Sequence, residues 1–186
     1  MRILITGTTG GIGGAVKRAA LAAGHAVIEV NRGDFDSFSS IGLDPIDGIV
    51  FTTGVCPVKP LTVLTDAEFE ETLRVNCGLF VKLMRRIVGE KLNNPNGMRV
   101  VAISSVSATE GWAGGAAYCA SKGALSAVCR ALDAELKPKR ISVTALEPRY
   151  VKTRMFDACA GRMGVDPALA QDPDEFAKEV LNECCR

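Results

Sequence analysis

Hydrophobic positions along this chain fall into two rhythms. RILIT (2–6), AVIEV (26–30), GIVFT (48–52), RVVAIS (99–104) and ISVTAL (141–146) are short, β-branched and almost continuously apolar. Such runs suit strands buried on both faces, as in a parallel sheet. Between them the apolar residues recur at helical spacing. An alanine-rich helix is predicted over 12–23, stopped by Gly24. A long helix over 66–92 opens on Thr65-Asp66-Ala67-Glu68, a capping-box pattern. Its stripe runs through Phe69, Leu73, Phe80, Leu83 and Ile87, with Asn76 where the rhythm calls for an apolar residue. A third helix covers 117–136, and a last one opens at Asp172-Pro173-Asp174-Glu175. Strands alternating with helices predict an α/β fold: a doubly wound, mostly parallel Rossmann-type sheet with right-handed crossovers. With no repeat and no linker, residues 1–186 read as a single domain.

Composition narrows the function classes. The chain is 47% hydrophobic and 23% charged, an ordinary globular balance. Lys plus Arg (22) against Asp plus Glu (21) leaves a net charge of +1, which gives no electrostatic case for nucleic acid or a membrane surface. No apolar run approaches the roughly 20 residues that span a bilayer. MRILITG reads as a strand rather than a targeting peptide, so the chain is expected to be cytoplasmic. Seven cysteines without a C-x-x-C pair read as free thiols rather than disulfides or a metal site.

Two motifs carry chemistry. ITGTTGGIGGAV (5–16) lies between the first strand and the first helix, at the sheet edge where open α/β folds bind ligands. Glycines there let the backbone turn and approach a pyrophosphate, and the helix N-terminus offers free N–H groups. No Lys-Ser/Thr follows them, so this is not a P-loop. AAYCASKGA (116–124) sets Tyr118 and Lys122 one helical turn apart on one face, among small residues.

The glycine turn departs from G-x-G-x-x-G, having Val16 at the third glycine position, but resembles T-G-x-x-x-G-x-G through Thr6, Gly7, Gly11, Ile12 and Gly13. That is a signature of the short-chain dehydrogenase/reductase family. Asn76, Ser105, Tyr118 and Lys122 follow in that family's catalytic order. TTGV (52–55) matches its post-strand motif at Gly54, and EPRYVKT (147–153) matches at Pro148, Val151 and Thr153. The resemblance spans residues 1 to about 155 and implies a carbonyl–alcohol oxidoreductase using a nicotinamide cofactor. It implies Tyr118 as acid/base, its pKa lowered from about 10 by Lys122 and the oxidised nicotinamide. Ser105 would bind the substrate oxygen, and Lys122 would also hold the ribose hydroxyls. Asn76 would support a proton-relaying water, or else act as a core asparagine bonded to backbone. Ser104 and Ser105 point to opposite faces of the strand, so only one serves, and spacing favours Ser105.

The implied cofactor set is Gly7, Thr9, Gly10, Gly11, Ile12, Gly13, Asn31, Arg32, Asp34, Thr53, Gly54, Val151 and Thr153, together with Tyr118 and Lys122; no metal is expected. Asn31 stands where an acid would hold a ribose 2′-OH and Arg32 follows, which favours NADP(H) over NAD(H). Glu29 is expected to point away. Asp34 is the match to the family's adenine-side aspartate. Residues 33–47 leave no room for the usual helix and strand, and residues 149–186 contain no final strand. The segment at roughly 152–170 is expected to be a substrate lid with no aromatic beyond Phe156. Partners implied are a small carbonyl or alcohol substrate and a second copy of the chain, as homodimer or homotetramer. Two other functions fit parts of the pattern. Gly7, Gly10 and Gly13 also match the T-G-x-x-G-x-x-G of sugar-nucleotide epimerases and dehydratases, which need a substrate domain with no room here. The shortened adenine side suits a non-catalytic NADP-binding sensor or assembly subunit.

Overall fold

A computed structural model describes residues 1–37 and 45–186. Five parallel strands, β1 (Arg2–Thr6), β2 (Ala26–Val30), β3 (Gly48–Phe51), β4 (Met98–Ile103) and β5 (Ile141–Leu146), form one sheet in the order β2-β1-β3-β4-β5. The register pairs Leu4 with Ile28 and Ile49, Ile49 with Val100, and Val100 with Val143. Side chains alternate across the sheet, so each central strand feeds two cores. Leu4, Ile49, Phe51 and Val100 pack on one face with Phe80, Leu83, Ile87 and Leu125. Ile3, Ile5, Val50 and Val101 pack on the other with Val16, Phe176 and Val180. Burial on both faces is why the strands read as continuous apolar runs.

Helices α1 (Gly11–Ala22) and α7 (Pro173–Cys185) cover the second of these faces. The first is covered by α4 (Leu79–Gly89) and α5 (Ala116–Leu136), preceded by α3 (Asp66–Leu73). The capping box at Thr65 and Glu68 forms in both directions. The expected continuous helix over 66–92 is corrected: Arg74–Gly78 is a π-helical turn between α3 and α4, and α4 ends at Gly89. The extra residue of a π turn pushes one side chain out of the helical rhythm. Here it delivers Asn76, fully buried, onto polar partners rather than into the apolar stripe.

The segment after β2 is also refined. A one-turn helix, α2 (Asp34–Ser37), follows directly, with Phe35 buried. Residues 38–44 lie outside the described residues, and no strand follows β5 among those described. α6 (Arg154–Met163) occupies the expected lid segment. At its base Val151 and Gln171 form an isolated parallel bridge, with Lys152 N–H donating to the Gln171 carbonyl. No helix among the described residues is long and apolar enough to cross a membrane.

Candidate active site

The chain leaves β1 in opposite directions to reach β2 and β3, so a crevice opens at the carboxyl ends of β1 and β3. A cavity of about 410 Å³ occupies that crevice. Its floor is the glycine turn. Gly7 sits at φ +67°, which only glycine adopts freely, and its N–H donates to the Val30 carbonyl at 2.9 Å. A Cβ on Gly11 would lie 2.5 Å from the methyl of Thr153, so α1 and α6 touch there through bare backbone. The N-terminus of α1 has no side-chain cap and no acid in its first turn. A main-chain cradle of this kind, with open N–H groups, fits an anionic pyrophosphate. Thr9, Gly10, Ile12 and Gly13 line it as expected.

Opposite lies the face of α5. Tyr118 and Lys122 sit one turn apart, with the ammonium 5.6 Å from the phenol ring centroid. The small neighbours Ala117 and Ser121 are buried, so the helix approaches β4 closely. There Lys122 Nζ donates to the Ile103 carbonyl at 2.7 Å. Ser105, two residues beyond β4, lies in the cavity wall with Tyr118, and its Oγ accepts from Ser107 N–H at 3.1 Å. Ser104 Oγ instead donates to the Lys122 main-chain oxygen at 3.1 Å and lies 2.8 Å from Ser126 Oγ. The geometry thus leaves Ser105 as the serine beside the phenol.

Asn76 stands behind the cleft rather than in its wall. Its Nδ2 donates to Val55 O (2.9 Å) and Ser121 Oγ (2.8 Å), and its Oδ1 accepts from Val55 N–H (2.7 Å). These are the hydrogen bonds of a core asparagine. They tie the loop after β3 to α5 and set Gly54 where a Cβ would lie 3.7 Å from Lys122 Nζ.

Electrostatics correct one expectation. Burial pushes the Tyr118 phenol up, and the nearby Cys56 thiol adds to this; the Ser105 hydrogen bond only partly opposes them. Lys122 shares the same dry environment, which lowers its own pKa to about 8. Lys122 keeps most of its charge at neutral pH, and burial of the phenol is the larger effect on Tyr118. Between pH 8 and 10.5 the unfolded chain therefore keeps a proton that the folded chain has released. Wild-type stability rises with pH through that window, and in Lys122→Met this contribution is absent. The wild-type minus Lys122→Met difference in Tm should increase between about pH 7.5 and pH 9.5 in thermal melts. A flat or falling difference would mean that the ammonium is solvated.

At the β2 end, Asn31 and Arg32 line the cavity, and Arg32 is ion-paired with Glu71, which also binds Arg74. Asp34 does not line the cavity; its carboxylate accepts from Asn31 N–H at 2.6 Å in the turn into α2. Glu29 bonds Thr8 and Lys17, away from the cavity. Thr53, Gly54, Val151 and Thr153 line the cavity, with Thr53 Oγ1 donating to Thr6 Oγ1 at 2.9 Å. Sequence reasoning missed Trp112 and Tyr150, which lie outside the lid segment and join Phe156 in the cavity wall. A lone tryptophan between Ser105 and Tyr118 was the available signal. All seven cysteines are free thiols.

Residues 38–162 match the family model for short chain dehydrogenase. The chain belongs to the short chain dehydrogenase family. It is similar to the short-chain reductase protein NovJ of Streptomyces niveus, with 30% identity across 88% of this chain and 74% of that protein. L-xylulose reductase of Bos taurus is 25% identical across 84% of this chain and 74% of that enzyme. Two solved structures share the fold at TM-score 0.85. One is a short chain dehydrogenase family protein from Francisella tularensis, 19% identical and covering 98% of this chain and 90% of that one. The other is a protein from Beutenbergia cavernae with NADP bound, 22% identical and covering 98% and 88%.

Proposed function

We propose that this short chain dehydrogenase interconverts a carbonyl and an alcohol, with NADP(H) preferred over NAD(H). The observation that carries the reading is the convergence of Tyr118, Lys122 and Ser105 in one cavity with an uncapped glycine cradle. When bound, the nicotinamide dinucleotide supplies or accepts the hydride. The open main-chain N–H groups of Gly11 to Gly13 at the start of α1 hold its phosphates, and Lys122 holds its ribose hydroxyls. Ser105 Oγ donates to the substrate oxygen as negative charge develops there. Tyr118 Oη gives that oxygen its proton in reduction and takes it back in oxidation. Asn76 acts as a positioning residue by fixing the loop that sets Gly54 against Lys122. α6 serves as the lid, hinged at the Val151–Gln171 bridge. A homodimer or homotetramer is the expected working form.

NADP(H) preference rests on Arg32, whose guanidinium must be shared between Glu71 and a 2′-phosphate. Arg32→Ala should lower kcat/KM for NADPH about 10- to 100-fold while NADH use changes less than about threefold, the loss of one charge-assisted phosphate contact. Equal losses with both cofactors would remove Arg32 from the 2′ site. The reading as a whole is tested by NADPH oxidation against ketones, aldehydes and quinones, with cofactor binding measured by calorimetry. Turnover is expected. Binding without turnover of any carbonyl would favour the sensor reading, and absence of binding would sink the cofactor assignment.

A further inference from the structure

Ring carbon and sulfur dominate the cavity wall around Tyr118. The Trp112 ring centroid lies 6.4 Å from that of Tyr118. Two contacts fix the indole. Its Nε1 donates to Ser107 Oγ at 3.1 Å, and its ring packs over Gly115, where a Cβ would come within 2.5 Å. Tyr150 and Phe156 form a second aromatic pair in the same cavity, with centroids 5.6 Å apart. Met155, Cys56 and Cys159 complete this end.

The polar complement is as informative. Among the described residues the cavity wall contains no Asp, Glu, Gln or His, and its one Asn, Asn31, lies at the β2 end. The Ser107 hydroxyl accepts from Trp112, and the Arg149 guanidinium is paired with Glu110 at 2.7 and 3.3 Å. Arg154, the residue after Thr153, also lines the cavity. Ser105 and Tyr118 serve one carbonyl oxygen, and among the described residues no carboxylate side chain lines the cavity and no amide lies at this end. A polyhydroxylated substrate would leave several hydroxyls desolvated without carboxylate or amide partners, which sites that select sugars avoid.

Resting on the reductase reading, we propose that the substrate is a planar, apolar ring compound bearing one reacting carbonyl. Trp112 is the rigid wall that holds its ring, and open-chain ketoses are poor substrates. The specificity differs in kind from that named by the bovine relative, an L-xylulose reductase. An indole held on two sides offers a flat apolar face at little further cost in side-chain entropy.

The test measures NADPH oxidation with 2-acetylnaphthalene, with L-xylulose and with butanone as a small control, by wild type, Trp112→Ala, Trp112→Phe and Tyr118→Phe. Wild type should show kcat/KM about 100-fold higher for the naphthyl ketone than for xylulose. Trp112→Ala should raise KM for the naphthyl ketone about tenfold, leave butanone within about twofold, and leave NADPH affinity unchanged; Trp112→Phe should recover most of the loss. Tyr118-dependent turnover that favours xylulose would overturn the inference and leave the reductase reading standing. Equal damage to butanone and the naphthyl ketone would reduce Trp112 to a structural role and overturn the wall assignment. Wild-type protein that binds NADPH but reduces none of the three would overturn this inference, while the wider panel of ketones, aldehydes and quinones still decides the reductase reading.

Discussion

Replacing Tyr118 by phenylalanine should lower kcat for NADPH-dependent carbonyl reduction roughly a thousandfold, within the span a positioned general acid contributes. That corresponds to about 4 kcal/mol of transition-state stabilisation, at 1.36 kcal/mol per factor of ten. The substitution removes only the phenolic oxygen. The ring keeps its place 6.4 Å from Trp112 and 5.6 Å from the Lys122 ammonium, so cofactor affinity should change less than about threefold. The size of the effect follows from what else faces the reacting oxygen. Ser105 has a neutral hydroxyl that can donate a hydrogen bond but is far too weak an acid to deliver the proton. Lys122 is directed to the Ile103 carbonyl. Steady-state kinetics with calorimetric binding separates the two effects. Retention of activity within tenfold, with the fold intact by circular dichroism, would remove Tyr118 from the acid/base role.

In the free protein that phenol is held above its ordinary value by burial and by the Cys56 thiol. A high pKa keeps the proton on Tyr118 at neutral pH, as carbonyl reduction requires of an acid. Alcohol oxidation needs the phenolate, which the positive charge of the oxidised cofactor favours together with the Lys122 ammonium, still mostly charged at neutral pH with its pKa of about 8. Direction and cofactor redox state are coupled through this one group.

The parts legible in the sequence are those set by local pattern and by burial on both sides. β1, β2 and β5 fall on the residues read from their apolar runs, and α7 begins at Asp172-Pro173 because a capping side chain and proline state it locally. What escaped was fixed by partners far along the chain. The π turn at Arg74–Gly78 keeps an apolar rhythm; its reason is Asn76 reaching Val55 and Ser121, 21 and 45 residues away. The Arg32–Glu71 pair joins positions 39 apart. Asp34 could serve a ligand or its own turn on paper, and its bond to the Asn31 N–H shows only in three dimensions. The sign of the Tyr118 shift depended on burial, which spacing does not report. Trp112 reached the wall because Gly115 left room for an indole, a match visible only in three dimensions.

Gly13→Ala should be the most damaging single-methyl change in the molecule. In the interior of a helix such as α1, alanine is ordinarily better than glycine by about 1 kcal/mol. At Gly13 the added Cβ would lie 2.2 Å from the Gly7 carbonyl oxygen and 2.6 Å from Thr52 Oγ1. Neither neighbour is free to yield. Gly7 is the left-handed residue of the turn, and Thr52 Oγ1 donates to the Thr6 carbonyl at 2.6 Å. Relief requires α1 to move off the ends of β1 and β3, which costs about 3 kcal/mol, the upper range of overpacking. At 2–4 °C per kcal/mol for a chain of this size, Tm should drop by about 6–12 °C. The same movement spreads the cradle, so NADPH affinity should weaken at least about tenfold even where the variant is folded. Gly161→Ala supplies the opposite case: it lies inside α6, with nothing within 4 Å of its Cβ position. There the helix-propensity gain stands alone, and Tm should rise by about 1–4 °C with affinity unchanged. Two glycine-to-alanine changes in helices of one protein should therefore move Tm in opposite directions. A shift of the same sign in both would mean that the contact at Gly13 is not what keeps α1 against the sheet.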